Sequence, residues 1–234
     1  MGTIVAVKTD SEIAIGCDSL NTFEELIHKD SHETESCLFK FDENFIGLNC
    51  AYALQQTTQN HLKALEQEKK EISLSDKEQV KAFFSSVYDD VRIQQRVLVQ
   101  HQGSVPFESL PMNLMLANRS GIFKVDAVRG VYQYKKFWAV GSAEMFALGA
   151  LEACYSNKKD ASSLVEQALR VCSVFEGYKE RDFIINSIRL PNLKLASGKT
   201  KSGTSGAKVL MHRGAPVSIR RGRKNKGRED NELV

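Results

Sequence analysis

Apolar and polar positions alternate along the chain with two different periods, and the order of these periods predicts the layout of the fold. The chain starts with two β-branched runs, residues 3–7 and 12–17, separated by a polar turn that contains Asp10 and Ser11. Residues of this type favour strands, and a short polar connection between two of them is typical of a hairpin. Because both runs are almost continuously apolar, we expect both faces of the hairpin to be covered.

Further strands and four helices follow the first hairpin. Apolar residues at helical spacing predict two long helices in the middle of the chain and two more before the last strand. The predicted strands are residues 38–41, 44–49, 112–117, 122–128, 132–134, 137–140 and 182–190. The predicted helices are residues 51–68, a second helix after Leu74 whose apolar positions run from Val80 to Val91, and residues 143–155 and 161–175. Ser142 stands directly before the third of them and is a natural N-cap.

This order of elements predicts an α+β fold of four layers. Consecutive strands pair as hairpins, and each pair of helices must cover one face of a sheet. Two facing sheets with a helix pair on each outer side, a four-layer αββα sandwich, meet both conditions. We expect this domain to span residues 1–192. After Pro191 the composition changes to Gly, Ser, Lys and Arg, so residues 193–234 are predicted to be a basic, flexible tail.

The charge of the chain is unevenly distributed. The net charge is only +3, but residues from Lys194 onward contain eleven Lys or Arg and three acidic residues, which leaves the rest of the chain negative. The candidates for contact with a polyanion are Arg220, Arg221, Arg223, Lys224, Lys226 and Arg228. Such a run is either a solvated charged segment or a contact for nucleic acid or an acidic protein surface. The tail has no aromatic residue for base stacking, so any nucleic-acid binding would be independent of base sequence.

The remaining composition indicates the class of protein. With 42% hydrophobic and 26% charged residues, the chain is typical of a globular protein rather than a disordered one. The five cysteines form no CxxC pair and are expected to be reduced thiols of a cytoplasmic protein. The histidines have no metal-binding spacing, and we expect neither a metal nor a cofactor. No apolar run approaches the ~20 residues of a membrane span, and no signal peptide is evident.

Three stretches of the sequence resemble one known family. They are TIVAVKTDSEIAIGCDSLNTF, FKFDENFIGL and MNLMLANRSGIFKVDAVRGVYQYKKFWAVGSAEMFALGALEACY, and they follow the family order over roughly residues 2–190. The chain resembles the proteasome β-subunit family of N-terminal-nucleophile hydrolases, in particular the betaproteobacterial proteasome homologue and the bacterial two-component proteasome peptidase. The resemblance implies an αββα fold, a polypeptide substrate, and a ring of identical subunits or a mixed ring with a paralogous subunit.

The resemblance also implies which positions form the active site. In that family an N-terminal threonine is the nucleophile, and its α-amine, helped by a lysine, is the base. The spacing from GCDS places Gly2 at the nucleophile position and matches Asp18 to the family's aspartate. Cys37, in SCLFKF, occupies the position of the lysine. Ser142 in VGSAE matches the family's serine, and Glu176 falls near its acidic residue at the end of the last helix. The resemblance therefore implies a catalytically degenerate threonine-peptidase subunit.

Two other interpretations stay open. Removal of Met1 and Gly2 would make Thr3 the N-terminal residue of an active threonine endopeptidase. The hairpin would then be one residue shorter than the family's, and we expect the Thr3 side chain to point away from Asp18. The third interpretation is a non-enzymatic binding scaffold that makes its contacts through the basic tail.

Overall fold

The computed structural model describes residues 2–18, 22–23, 26–27, 36–68, 72–95, 108–176 and 183–191. The strands in these ranges are β1 (Ile4–Lys8), β2 (Glu12–Asp18), β3 (Thr22–Phe23), β4 (Leu26–Ile27), β5 (Leu38–Phe41), β6 (Asn44–Cys50), β7 (Met112–Asn118), β8 (Gly121–Val125), β9 (Val131–Tyr134), β10 (Phe137–Val140) and β11 (Phe183–Arg189). The helices are α1 (Tyr52–Gln67), α2 (Lys77–Gln95), α3 (Glu144–Cys154) and α4 (Ala161–Phe175). Among the described residues, no helix combines the length and apolar character that crossing a membrane requires.

Two antiparallel sheets carry the fold. The first sheet has the strand order β10-β1-β2-β11, and the second has the order β5-β6-β7-β8-β9. Strands β3 and β4 pair with each other in a separate ribbon. The N-terminal strand β1 lies between β10 and β2, with Ile4 opposite both Val140 and Cys17. This central place explains why β1 is apolar at every position before Lys8, because both of its faces are covered.

Three apolar clusters fill the three spaces between four layers. One lies between the second sheet and the pair α1 and α2, and another lies between the first sheet and the pair α3 and α4. The third lies between the two sheets. Because side chains alternate along a strand, Ile4 and Ala6 face the other sheet, whereas Val5 and Val7 face the helices. The predicted αββα sandwich is confirmed.

The two sheets come close together at Gly47 of β6. A Cβ atom placed on Gly47 would lie 2.8 Å from Cγ2 of Ile4. The bare backbone of glycine therefore makes room for the side chain that β1 sends across the inter-sheet space. Gly47 pairs with Leu38 on β5, while Ile4 pairs with Cys17 on β2. The start of β5 and the end of β2 are consequently neighbours across the two sheets.

Helix α3 begins one residue later than the sequence indicates. Its N-cap is Ala143, which offers no side-chain cap. The prediction that Ser142 caps this helix is wrong, because the Ser142 hydroxyl instead lies 2.5 Å from Oε1 of Glu176 and donates a hydrogen bond to it. Gly141, with a φ of 127°, turns the chain just before this point.

The outer side of the α3 and α4 layer exposes four large apolar side chains, which we call the outer apolar patch. They are Met145, Phe146, Val174 and Phe175. The rings of Phe146 and Phe175 stack on each other with centroids 4.4 Å apart. Contiguous exposed apolar groups of this kind are typical of surfaces that another molecule covers.

The hydroxyl of Tyr88 on α2 joins the helical layer to the second sheet, and its removal should be costly. It lies 3.0 Å from the carbonyl oxygen of Met112 and 3.1 Å from that of Asp126. In Tyr88→Phe the ring still fills its buried space, but these carbonyl groups lose the hydroxyl's hydrogen bond. We expect the free energy of unfolding in urea to fall by about 1–3 kcal/mol.

Tyr52→Phe is the matched control for this substitution. Tyr52 is 39% exposed, and its hydroxyl accepts a hydrogen bond from Gln56 on the surface of α1. Surface changes of this kind usually alter stability by less than about 0.5 kcal/mol. Equal urea midpoints for the two variants would contradict the assigned role of the Tyr88 hydroxyl.

Candidate functional site

The site lies where the start of the N-terminal strand meets the end of β2. Asp18 is buried there, and its Oδ2 accepts a hydrogen bond from the backbone N–H of Thr3 at 3.3 Å. A Cβ atom placed on Gly2 would lie 1.9 Å from Oδ1 of the same carboxylate. Residue 2 is therefore the position from which a side chain would point directly at Asp18.

Thr3 directs its hydroxyl to the start of helix α3. Its Oγ1 accepts a hydrogen bond from the backbone N–H of Ala143 at 3.0 Å, and the residue is fully buried. The contact between Thr3 and Asp18 is made by the Thr3 backbone. The side chain of Thr3 thus holds the strand against α3.

Two residues that the sequence did not single out fix Gly2 in place. Nδ2 of Asn49, next to the end of β6, donates a hydrogen bond to the Gly2 carbonyl oxygen at 3.0 Å. A Cβ atom on Gly141 would lie 2.4 Å from that same oxygen and 2.7 Å from Cα of Thr3. The sequence contains only weak signals for these two roles. Asn49 is a polar residue near the end of an apolar strand, and Gly141 precedes Ser142 in VGSAE. The backbone of residue 2 is therefore held from both sheets.

Cys37 lies beside Asp18, although the two are distant in sequence. The Cys37 side chain packs against the apolar cluster between the sheets that contains Cys17. Hydrogen bonding to Cys17, then burial, then the electrostatic effect of Cys17 and Asp18 raise the pKa of the Cys37 thiol well above its usual value. A thiol is either neutral or negatively charged, so Cys37 does not supply the positive charge that a lysine ammonium would supply.

Ser142 and Glu176 form the outer part of the site. Their hydrogen bond joins the start of α3 to the end of α4. Ser142 directly precedes Ala143, whose N–H holds Thr3. Gly2 and Cys37 thus lie beside the Asp18 carboxylate, while Ser142 adjoins Ala143, the residue that binds the Thr3 hydroxyl.

The chemistry of this arrangement is limited by two positions. A side chain at residue 2 would face Asp18, but the chain has only a hydrogen atom there. An ammonium beside Asp18 would come from residue 37, where the chain has a thiol. Within the described ranges, no three His, Cys, Asp or Glu side chains are arranged to hold a metal ion.

The basic cluster of the tail lies outside the described residues, and so does the whole of residues 193–234. Contact between a polyanion and Arg220, Arg221, Arg223, Lys224, Lys226 and Arg228 stays a prediction from sequence. The boundary of the tail stays a prediction in the same way.

Comparison with protein families and curated proteins identifies clear relatives. The family model for the proteasome subunit matches residues 1–187 of the chain. The proteasome subunit beta of Nanoarchaeum equitans (strain Kin4-M) is 31% identical over an alignment of 100 residues that covers 38% of this chain. The chain spans about half of that relative, 51% of its length.

Comparison with solved structures finds the same fold. Thiobacillus denitrificans BPH superimposes with a TM-score of 0.72 at 20% identity, over 81% of this chain and 98% of that one. Its complex with Epoxomicin gives a TM-score of 0.69 at 20% identity, with 81% and 99% covered. The eukaryotic HslV from Trypanosoma brucei gives 0.52 at 15% identity, with 80% and 99% covered. The fold shared with these structures is the expected N-terminal-nucleophile hydrolase fold.

Proposed function

The chain belongs to the proteasome subunit family, a family of compartmentalising proteases, and on that premise we propose that it is a ring-forming subunit without peptidase activity of its own. One observation carries the proposal. The position whose side chain would face Asp18 is Gly2, because a Cβ atom there would lie 1.9 Å from Oδ1 of Asp18. Attack on a peptide carbonyl needs an oxygen or sulfur nucleophile at that point, and glycine has neither.

The environment of Cys37 supports the same proposal. In this family the N-terminal amine that acts as the base is helped by a lysine. Here the equivalent group is the half-buried thiol of Cys37. Even with a nucleophile at residue 2, proton transfer would lack its electrostatic help, and such help is worth ~10²–10⁴-fold in rate.

The alternative, an active peptidase that begins at Thr3, fits the geometry less well. In that case the amine of Thr3 would lie near Asp18, where its N–H already donates to Oδ2. The hydroxyl, however, accepts from the N–H of Ala143 and is buried in the layer beneath α3. Activation would require the strand to rotate its side chains away from the contacts that hold it.

Exposed apolar surface supports assembly with other subunits. The outer apolar patch leaves Met145 74% exposed and Phe175 63% exposed. Strand β11, an edge of the first sheet, also leaves its apolar residues only half buried. We propose that other subunits cover such surfaces in a ring of identical copies, or in a mixed ring whose paralogous subunit cleaves the polypeptide substrate.

The test combines the mass of the purified protein with a covalent probe. A peptide epoxyketone reacts with both the hydroxyl and the amine of an N-terminal threonine. We expect a mature N-terminus at Gly2 and no adduct, whereas an active threonine peptidase treated in parallel should be labelled completely. Size-exclusion chromatography with light scattering should report a ring rather than a monomer.

Other outcomes of the same test would overturn the proposal. A mature N-terminus at Thr3 together with an epoxyketone adduct on Thr3 would establish the active alternative. A monomer that stays monomeric at high concentration, and that binds RNA in a salt-dependent way only when residues 193–234 are present, would favour the binding scaffold.

A further inference from the structure

Two cysteine side chains pack in the space between the sheets, and the proposed function uses only the absence of a positive charge at Cys37. Cys17 is the residue before Asp18 on β2 and is completely buried. Cys37 stands directly before β5 and is half buried. The Cys17 thiol is close enough to Cys37 to raise the pKa of the Cys37 thiol. The two residues belong to the same apolar cluster between the sheets.

The backbone accounts for this contact independently of the thiols. Ile4, the partner of Cys17 on β1, packs on the bare backbone of Gly47. On the other sheet, Gly47 pairs with Leu38, which is the residue after Cys37. The N–H of Leu48 donates a hydrogen bond to the carbonyl oxygen of Cys37 at 2.9 Å. A close approach between the two sheets therefore lies beside both cysteines.

Hydrogen bonds from helix α1 fix the segment that presents Cys37. Nε2 of Gln55 and Nε2 of Gln59 donate to the carbonyl oxygen of Ser36 at 3.2 and 2.7 Å. Oγ of Ser36 in turn accepts from the N–H of Leu38 at 3.0 Å. The residues on both sides of Cys37 are therefore held by hydrogen bonds, which fixes the backbone that carries its thiol.

We propose that Cys17 and Cys37 are a site of oxidative modification, at which hydrogen peroxide or a similar peroxide converts the two thiols into a disulfide that links the two sheets. The Cys37 sulfur, as thiolate, attacks one peroxide oxygen, so that an S–O bond forms, the O–O bond breaks and hydroxide leaves. The Cys17 sulfur then loses its proton and attacks the Cys37 sulfur, which forms the S–S bond and releases the second hydroxide. The hydroxides take up the two thiol protons. Two electrons pass from sulfur to the peroxide, and two waters result.

The surroundings of Cys37 set the rate of this reaction. Cys17 and Asp18 face its thiol, and both favour the protonated form. Since only the thiolate attacks a peroxide, we expect slow oxidation at neutral pH and faster oxidation as the pH rises. We therefore expect the site to be oxidised by sustained rather than brief contact with a peroxide. The inference does not depend on the absence of peptidase activity.

The experiment uses the full chain, fully reduced and then treated with hydrogen peroxide. We expect a disulfide-linked species that is about 2 Da lighter than the reduced protein and that carries two fewer labels after the free thiols are blocked with N-ethylmaleimide. Trypsin cleaves at Lys29, so residues 9–29 and 30–40 should appear as one cross-linked pair without reductant and as two peptides with it. The oxidised protein should also unfold at a higher urea concentration, since the link closes a loop in the unfolded chain.

Matched variants distinguish this pair from the other thiols. Cys37→Ser and Cys17→Ala should each lose the cross-linked peptide completely, whereas Cys154→Ser, which removes another half-buried thiol, should retain it. Circular dichroism verifies that each variant is folded. The proposal is overturned if Cys37 in the folded wild-type protein ends as a sulfinic acid, if both thiols are alkylated after peroxide treatment, or if the link joins other cysteines.

Discussion

The double variant Gly2→Thr/Cys37→Lys is expected to hydrolyse peptides at least about 100-fold faster than the wild-type protein, because it restores both groups that the proposed function identifies as lost. The Cβ of a threonine at residue 2 would lie 1.9 Å from the present position of Oδ1 of Asp18. The atom in the way is the end of a carboxylate, which can rotate. A lysine at residue 37 gives that carboxylate an ammonium to pair with, and so draws it away from the new side chain.

Each single variant is a control for the double variant. Gly2→Thr supplies a hydroxyl beside Asp18 without an ammonium, and Cys37→Lys supplies an ammonium without a nucleophile. Because the two groups act on the same proton transfer, the gain in the double variant should exceed the product of the single gains. Mass spectrometry must show that Met1 has been removed, so that the amine of the introduced threonine is free. Peptide turnover and epoxyketone labelling should appear together in the double variant.

The outcome separates two explanations of an inactive wild-type protein. If the double variant is folded, begins with the introduced threonine and still neither turns over peptide nor reacts with the probe, then the loss is not explained by residues 2 and 37. If Gly2→Thr alone equals the double variant, the thiol at residue 37 does not limit proton transfer, and that part of the proposal fails.

Gly141→Ala is expected to lower the free energy of unfolding by roughly 2–6 kcal/mol. Part of this cost is conformational, because Gly141 has a φ of 127°, which L residues rarely adopt and which costs on the order of 1–3 kcal/mol. The rest is steric. The new Cβ would lie 2.4 Å from the Gly2 carbonyl oxygen and 2.7 Å from Cα of Thr3, so backbone must move, at a further cost of roughly 1–3 kcal/mol.

Gly149→Ala in helix α3 is the control with the opposite sign. A Cβ at Gly149 would meet nothing within 4 Å, and alanine is the better helix former. We expect this variant to gain about 0.5–1 kcal/mol in urea unfolding. If Gly141→Ala were as stable as Gly149→Ala, the N-terminal strand could not lie against residue 141 as described.

The sequence predicts the elements well because each one leaves a local signal. The first hairpin is predicted at residues 3–7 and 12–17, and the strands are Ile4–Lys8 and Glu12–Asp18. Helix α4 has the bounds that its apolar spacing indicates. The four layers follow because each amphipathic helix needs one sheet face to cover. These features depend on neighbours along the chain, which a sequence displays directly.

Contacts between distant segments could not be predicted in this way. The pairing of β1 with β10 joins residues that are far apart in the chain, and no local pattern encodes it. The predicted cap at Ser142 is wrong because its competitor, Glu176, lies at the end of another helix. The role of Asn49 could not be predicted for the same reason, since its hydrogen-bond partner is the distant carbonyl oxygen of Gly2. The packing of Cys17 near Cys37 depends on the distance between the two sheets, which is short where Ile4 packs on Gly47.

The anchoring of Gly2 also has a practical consequence for producing the protein. Its carbonyl is bound by Asn49, and the residue is half buried beside Asp18. The last residues of an affinity tag fused before Gly2 would have to fit into this half-buried surrounding and would crowd the neighbours of Gly2. A tag placed after Val234, or one that a protease removes without leaving extra residues, avoids that crowding in the recombinant molecule.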